Sequence, residues 1–169
     1  AMRLMSNADG GPSDRARAVE VLRGAVRLGV NHIDTAAFYF SPTLSANELI
    51  NSALAPYPDD LVITTKVGPW RDPAGDFHHF HTEKELRGQV EENLRQLGVD
   101  HLDVVNYRLG AALDRGDGSL AEAFGALATF KQEGLIRHLG ISNVAEEHLK
   151  EALAITEVVC VQNQYGLTA

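Results

Sequence analysis

The sequence lacks most of the features that mark secreted, membrane and nucleic-acid-binding proteins. It has one cysteine in 169 residues, Cys160, so no disulfide can form within the chain, and we expect a buried, unreactive thiol. No apolar run approaches the roughly 20 residues of a membrane-spanning helix. Only 15 Lys and Arg residues accompany 23 Asp and Glu, and the net charge of -8 argues against a nucleic-acid or membrane partner. The first residues show no signal-peptide pattern, so we expect a cytoplasmic location.

What the sequence does contain is an alternation of short β-branched runs and helical patterns. The runs lie at 30–34, 61–66, 102–107, 136–142 and 157–162, and residues 1–4 are a candidate for the end of one more strand. Nearly continuous apolar strands that alternate with helices predict a parallel sheet covered by helices. Two architectures fit this α/β pattern: an open doubly wound sheet and a (β/α)8 barrel of the TIM-barrel type.

The positions of the polar residues favour the barrel. No G-x-G-x-x-G motif follows the first strand, which removes the main support for an open dinucleotide-binding sheet. Polar residues stand instead at the C-terminal ends of the strands, as in the active-site ring of a barrel. They are Asp34, Lys66, Asn106, Arg108, Ser142, Asn143 and Gln162. Because such a barrel typically takes ~250 residues, we expect residues 1–169 to form one incomplete barrel domain with about six of the eight strands.

Capping residues mark the predicted helices. A Ser or Thr followed three residues later by Glu predicts reciprocal capping at a helix start, and a Gly after the last turn predicts its end. The predicted starts are Ser13, Ser45 with Glu48, Thr82 with Glu85, Ser119 with Glu122, and Asn143 with Glu146; two predicted ends are Gly98 and Gly134. Segments 67–81 and 109–118 are predicted to be long loops, at the barrel end where substrate loops belong.

Two of these polar residues, together with a tyrosine on the following loop, form a group suited to proton transfer. Lys66 ends a mostly apolar run, and Asp34, at the end of the preceding strand, is a natural counter-ion. Tyr39 follows on the next loop, and a nearby ammonium group lowers the pKa of a phenol from its usual value near ~10. The phenol could then give a proton to a carbonyl oxygen and take it back. Taken singly, Asp34 is also consistent with a turn residue, Tyr39 with a core aromatic and Lys66 with an exposed strand end.

Five segments resemble successive blocks of the aldo-keto reductase family, in the same order and with the same spacing. They are GVNHIDTAAFYF, DDLVITTKVG, NLRQLGVDHLDVV, FKQEGLIRHLGISN and VVCVQNQY. The resemblance extends over nearly the whole chain and is greatest to bacterial members of the general aldo/keto reductase type. It implies an oxidoreductase that reduces a small-molecule aldehyde or ketone with a nicotinamide cofactor, by family default NADP(H).

The resemblance also implies roles for single residues. Tyr39 would be the general acid, Lys66 the group that lowers its pKa, and Asp34 the partner of Lys66. Ser142, Asn143 and Gln162 match the family positions that hydrogen-bond the nicotinamide carboxamide, and the amides of Asn and Gln offer both a donor and an acceptor for it. The structural alternatives are a helix cap for Asn143 and ordinary strand ends for Ser142 and Gln162.

Loop 67–81 adds two further expectations. Its aromatic residues Trp70, Phe77 and Phe80 could line an apolar substrate pocket or form a small core of the loop itself. Its histidines, at positions 78, 79 and 81, lack the accompanying ligand spacing of a metal site, so we expect no metal.

The chain departs from the family pattern at the end of the fourth strand. The family usually carries a His there, whereas this chain has Arg108. Arg cannot shuttle a proton near neutral pH, but it can hydrogen-bond a developing oxyanion, favour the Tyr39 phenolate, or bind a substrate carboxylate. Alternatively, Arg108 pairs with an acidic neighbour and has no part in the chemistry.

The second departure is length, because the family segments that stack on the nicotinamide and hold the rest of the cofactor do not occur in this sequence. An incomplete parallel sheet leaves exposed edges, so we expect self-association. Two other functions stay open. One is a non-catalytic half-barrel that acts as an assembly or interaction module, and the other, more remote, is an unrelated (β/α)-barrel enzyme such as a lyase.

Overall fold

The computed structural model describes residues 1–5, 13–72, 74–110 and 116–166. Strands and helices alternate along these residues. The strands are β1 (His32–Asp34), β2 (Val62–Val67), β3 (Pro69–Arg71), β4 (Phe77–His79), β5 (Leu102–Arg108), β6 (Ile136–Ser142) and β7 (Cys160–Gln162). The α-helices are α1 (Arg15–Arg27), α2 (Ala46–Leu54), α3 (Glu83–Leu97), α4 (Ala121–Gln132) and α5 (Glu146–Ile155). None of these described helices is long and apolar enough to cross a membrane.

Five strands form one parallel sheet in the order β1, β2, β5, β6, β7. Each connection between neighbouring strands contains a helix, and the order never reverses. That order is typical of a (β/α) barrel, since a doubly wound sheet changes direction at a switch point. The described residues thus contain five parallel strands, not six. Met2–Met5 is a turn of 3-10 helix, in which the Leu4 amide donates to the Ala1 carbonyl instead of to a neighbouring strand.

The two faces of this sheet differ in polarity. Residues in register on neighbouring parallel strands point to the same side. The outward rows are covered by the helices and form the hydrophobic core with them. The strands contribute Ile63, Val67, Val105, Leu139 and Ile141, among others, and the helices contribute Leu86, Val90, Phe124 and Leu127. The inward rows are polar. One of them aligns Lys66 with Asn106, Gly140 and Cys160.

Gly140 makes this inward row possible. A Cβ atom at position 140 would lie 2.1 Å from Asn106 Oδ1 and 2.5 Å from Cys160 Sγ. Because position 140 of β6 has no side chain, the Cys160 thiol reaches past it and donates to Asn106 Oδ1 at 3.1 Å. Burial raises the pKa of this thiol. Cys160 is therefore a half-buried thiol that faces the barrel interior, not the fully buried one that the sequence predicted.

Two of the predicted helix starts are confirmed. At the start of α3, Thr82 and Glu85 form the predicted reciprocal cap. At α2, the Ser45 hydroxyl accepts from the Glu48 amide at 3.4 Å. The predicted end of α3 is also confirmed, because Gly98 adopts the left-handed conformation there.

The other three helices start one or two residues later than predicted, because other groups satisfy all or some of their first amides. Helix α1 is capped by the Asp14 carboxylate, not by Ser13. At the start of α4, the Ser119 hydroxyl accepts from the Ala121 amide at 3.1 Å, but the Leu120 amide donates to Glu151 of α5, and the predicted partner Glu122 has no capping role. Helix α5 begins after Ala145, whose amide donates to His148 Nδ1 at 3.0 Å, and Asn143 lies outside the helix.

Strands β3 and β4 form an antiparallel hairpin inside the segment that the sequence predicted to be a loop. The Asp72 carboxylate accepts from the Asp76 amide at 2.9 Å, and the Gly75 amide donates to the Asp72 carbonyl, which closes the turn. Of the other predicted loop, residues 111–115 lie outside the described residues.

Gly140→Ala should destabilise the chain by about 1–3 kcal/mol, because an added methyl group overpacks the inward row against the backbone of β7. The matched control is Gly88→Ala in α3, where a Cβ meets nothing within 4 Å. That change should stabilise the helix by about 0.5–1 kcal/mol. Denaturant unfolding of both variants measures the difference, and equal midpoints would contradict the tight packing at Gly140.

Candidate active site

Asp34 and Lys66 meet at the C-terminal end of the sheet, as the sequence predicted. Lys66 Nζ donates to Asp34 Oδ2 at 2.5 Å and to the Thr35 carbonyl at 3.4 Å. The lysine side chain is 4% exposed, whereas the carboxylate is 35% exposed. Burial lowers the pKa of Lys66, and Asp34 opposes that change. The ammonium group is thus buried, and its counter-ion is a carboxylate that water can still reach.

A buried chain of amides and hydroxyls supports this pair from the helix side. Thr35, whose carbonyl accepts from Lys66, donates its hydroxyl to Asn47 Oδ1 of α2 at 2.7 Å. Asn47 donates to Asn93 Oδ1 of α3 at 2.9 Å, and Thr65 of β2 donates to the same oxygen at 2.6 Å. Sequence reasoning did not find this network, because polar residues on an outward strand face give no signal until the helices are placed.

Tyr39 lies beside the ion pair, on the loop between β1 and α2. The centre of its ring is 5.3 Å from Lys66 Nζ. Burial raises the pKa of Tyr39 to about 12, the Asp34 carboxylate adds to this, and the Arg108 charge lowers it. The sequence predicted the opposite direction. The prediction of a lowered pKa considered the ammonium group alone, whereas Asp34 neutralises that group and the phenol itself is half-buried.

Arg108, Ser142 and Gln162 form the next inward row, because they are in register at the ends of β5, β6 and β7. The Ser142 hydroxyl is 1% exposed and has no hydrogen-bond partner among the described residues. Such an unpaired buried hydroxyl is costly in a folded protein unless something else binds to it. Gln162 Nε2 donates to Asp34 Oδ2 at 3.0 Å and so joins this row to the ion pair.

Asn143 follows Ser142 in the left-handed backbone conformation, with φ of 62°. Its side-chain amide donates to the Leu109 carbonyl at 2.8 Å, and its backbone amide donates to the Gln162 carbonyl at 3.1 Å. These bonds hold the ends of β5, β6 and β7 together. They also explain why Asn143 does not cap α5, since its side chain is turned toward β5.

Arg108 is close enough to the ion pair to act on it electrostatically. Its charge lowers the pKa of both Tyr39 and Lys66. Its carbonyl oxygen lies 3.2 Å from Nε2 of His79 on the hairpin. The structure therefore groups Asp34, Tyr39, Lys66 and Arg108 at one edge of the sheet, with Ser142, Asn143 and Gln162 beside them.

The three histidines of the hairpin have separate partners. His78 bonds to the Asp72 carboxylate at 3.0 Å, whereas His79 contacts Arg108 and the Tyr107 hydroxyl. The ring of His81 stacks on that of His79, with centroids 6.5 Å apart. No group of three His, Cys, Asp or Glu residues in the described ranges could hold a metal ion.

The aromatic residues of the hairpin lie beside a cavity of about 700 Å³. Trp70 and Phe80 stack with their ring centroids 5.5 Å apart. Both line the cavity, together with Phe38, Phe40 and Lys66. Residues of α3 form much of its remaining wall, and Asp34, Tyr39 and Arg108 are not among the residues that line it. Phe77 contacts Phe38 instead, at 6.3 Å between ring centroids.

An unreversed parallel sheet with polar residues gathered at the C-terminal ends of its strands is characteristic of (β/α)-barrel proteins. The sequence model of the Aldo/keto reductase family matches residues 2–168. The chain belongs to the aldo/keto reductase family.

Individual relatives agree with this membership. Pyridoxine 4-dehydrogenase of Escherichia coli is 45% identical over 160 residues, which are 94% of this chain and 55% of that protein. The aldo-keto reductase AKR11C1 from Bacillus halodurans, in its holo form, superposes with a TM-score of 0.75 at 28% identity, over 90% of this chain and 49% of that one.

A third relative supports the fold alone. Glycerol dehydrogenase AKR11B4 from Gluconobacter oxydans has a TM-score of 0.78 at 24% identity, over 91% of this chain and 46% of that one. The prediction of an incomplete TIM-barrel-type fold is confirmed, and the chain spans about half the length of the relatives it matches.

Because Lys66 is buried and Asp34 is partly exposed, we expect the loss of Asp34 to reduce stability more than the loss of Lys66 does. Asp34→Asn leaves the buried ammonium group without its counter-ion and should cost about 2–3 kcal/mol of the free energy of unfolding. Lys66→Met leaves a carboxylate that water can reach, and should cost less. The control is Arg137→Met, which breaks an exposed pair with Asp103 and should change stability by less than about 1 kcal/mol. Urea unfolding of all three tests the order, and a larger loss for Lys66→Met than for Asp34→Asn would contradict it.

Proposed function

We propose that this chain carries the catalytic residues of an oxidoreductase that reduces an aldehyde or ketone and catalyses the reverse oxidation of the alcohol. The observation that supports this most directly is the group formed by Asp34, Lys66 and Tyr39 at the strand ends of an aldo/keto reductase fold. In this proposal the residues form one partial barrel domain, and Tyr39 is the general acid.

The proton chemistry follows from the charges around the phenol. With a pKa of about 12, Tyr39 is protonated at neutral pH and can give its proton to the carbonyl oxygen as negative charge develops there. In this proposal the charges of Lys66 and Arg108 stabilise the negative charge that develops on the carbonyl oxygen. In the reverse direction they stabilise the phenolate that takes the proton from the alcohol.

The proposed cofactor is a nicotinamide nucleotide, with NADP(H) as the family's usual form, and it supplies the hydride. The unpaired Ser142 hydroxyl fits its carboxamide, because a hydroxyl both donates and accepts. Gln162 uses its Nε2 on Asp34 and keeps Oε1 as an acceptor. Asn143 supplies a further amide beside them. Together these groups would hold the nicotinamide carboxamide at the same end of the sheet as Tyr39.

For the substrate we propose a ring-bearing aldehyde and its alcohol, of the pyridoxal and pyridoxine kind. The support is the 45% identity to an enzyme named pyridoxine 4-dehydrogenase. The aromatic side chains Phe38, Trp70 and Phe80 around the cavity provide faces on which a flat ring can stack.

Tyr39→Phe should lower the turnover of pyridoxal reduction by about a hundredfold or more, because general acid catalysis contributes roughly 10²–10⁴-fold. NADPH binding, followed by cofactor fluorescence, should be unchanged. The matched control is Tyr57→Phe, since Tyr57 is also a half-buried phenol with its pKa raised to about 12 but donates to the Leu97 carbonyl, away from the site. Equal turnover in the Tyr39→Phe and unaltered chains would exclude Tyr39 as the acid.

Arg108→Leu should lower turnover more than it weakens NADPH binding. Because the Arg108 charge lowers the pKa of Tyr39, its removal raises that pKa, and the alkaline limb of the pH profile for reduction should move to higher pH. Arg137→Leu, at an exposed pair, is the control. An unchanged profile and turnover would remove Arg108 from the mechanism.

A second candidate function is an assembly module without activity, which the exposed apolar side chains at the edge strand β7 favour. The NADPH titration separates the two, since no binding at millimolar NADPH would mean that this chain alone is not a reductase. In either role we expect a second copy to cover β7 and the residue before it, where Val161 and Val159 are 45% and 43% exposed. Sedimentation velocity would return a monomer if that expectation is wrong.

A further inference from the structure

The hairpin formed by β3 and β4 contacts both sequence neighbours of Tyr39. On one side, the ring of Phe38 meets Phe77 edge to face, with ring centroids 6.3 Å apart. Phe38 in turn contacts the Tyr39 ring in the same manner at 5.1 Å. On the other side, Phe40 contacts Arg71 through both its ring and its carbonyl. Tyr39 is therefore placed between two residues that the hairpin holds.

Arg71 makes the central contacts of this arrangement. Its Nη1 donates to the Phe40 carbonyl at 3.3 Å, and its Nε donates to the Gly75 carbonyl in the hairpin turn at 3.2 Å. The guanidinium carbon lies 5.7 Å from the ring centroids of both Phe40 and Phe77. One side chain thus links the hairpin turn, the hairpin strand β4 and the loop that carries Tyr39.

These contacts require an arginine and not only a positive charge. Within the described residues, Arg71 forms no ion pair with a carboxylate. A planar guanidinium can donate hydrogen bonds in its plane while aromatic rings lie near its faces, whereas an ammonium group has neither the plane nor the fork of donors. Lysine at this position could keep the charge but not all four contacts.

Besides its packing against the hydrophobic core, Tyr39 is fixed by its own loop mainly through the main chain. Its own backbone bonds, from the Ala46 amide to the Tyr39 carbonyl and from the Tyr39 amide to the Ala36 carbonyl, hold the main chain. They do not restrict rotation of the side chain at position 39. The ring of Phe38 does so by packing edge to face on the Tyr39 ring. Arg71 contacts Phe77, which packs on Phe38, and also Phe40, the residue that follows Tyr39.

We propose that Arg71 is a positioning residue, which holds the Tyr39 ring beside Lys66 through Phe40 on one side and through Phe77 and Phe38 on the other. The proposal rests on the proposed function, in which Tyr39 is the general acid. In this proposal the hairpin affects catalysis through the position of Tyr39 and not by contact with the reacting atoms.

The first test reads the environment of Tyr39 without using activity. The chain is labelled with 3-fluorotyrosine, and the Tyr39 fluorine resonance is assigned by its loss in Tyr39→Phe. In Arg71→Gln and Arg71→Lys we expect the Tyr39 resonance to shift and its titration midpoint to change. The Tyr57 resonance should stay in place, because Tyr57 lies against α3 and reports that the fold is intact. Phe77→Leu, which perturbs the same arrangement from β4, should move the Tyr39 resonance in a similar way.

The second test uses turnover. Arg71→Gln and Arg71→Lys should both lower kcat for pyridoxal reduction by about tenfold to a hundredfold, as expected for a misplaced catalytic group, with NADPH affinity unchanged within about twofold. The control is Arg87→Gln, because Arg87 also lies over an aromatic ring, Phe130, at 4.3 Å, but at the outer helix layer.

The two tests separate the inference from the function on which it rests. If the unaltered chain neither binds NADPH nor reduces pyridoxal, the proposed function is wrong, and the fluorine spectra still decide the role of Arg71. If the Tyr39 resonance and its titration are the same in both Arg71 variants as in the unaltered chain, the inference is overturned whatever the activity. A shifted resonance with unchanged kcat overturns it as well, since the position of the phenol would then not matter.

Discussion

The burial of one ammonium group is the constraint on which the site depends. Lys66 is almost removed from water, and a lone charge in that position would be strongly destabilising. Asp34 relieves this only while β1 and β2 stay in register and the Thr35 carbonyl stays in reach. The buried amides of Asn47 and Asn93 hold Thr35 and Thr65 against α2 and α3. Part of the helix layer therefore serves to keep one lysine charged and in place.

A second principle is the division of the sheet into an apolar outside and a polar inside. The outer face supplies the packing that stabilises the fold, and its residues are interchangeable with others of similar size. The inner face has little apolar area, and it depends on specific contacts, such as that of Cys160 with Asn106 past Gly140. The network of Thr35, Asn47, Asn93 and Thr65 connects the two faces, because it lies under the helices and supports the ion pair on the inner side.

The sequence predicted the parts of this site that depend on local order. Polar residues at strand ends must gather at one edge of a parallel sheet, so the grouping of Asp34 with Lys66 followed from the strand pattern alone. The pKa of Tyr39 did not, because it depends on how deeply the phenol is buried and on which cation is already paired. The start of α4 was predicted only in part, because Glu151 of another helix, and not Glu122, accepts from the Leu120 amide. The hairpin could have been predicted from the sequence, because the Asp and Gly residues of segment 72–76 are typical of a tight turn.

The hydrogen bond from Gln162 to Asp34 joins residues on the first and last strands of the sheet, which are 128 positions apart in the chain. Contacts of such large sequence separation form late in folding, since the chain between them must first be ordered. A partly folded chain can pair β5 with β6 and pack their helices, yet it has no means of bringing Gln162 to the carboxylate. The grouping of side chains at the barrel mouth is therefore among the last features to appear as the protein folds, and among the first to be lost when either edge strand detaches.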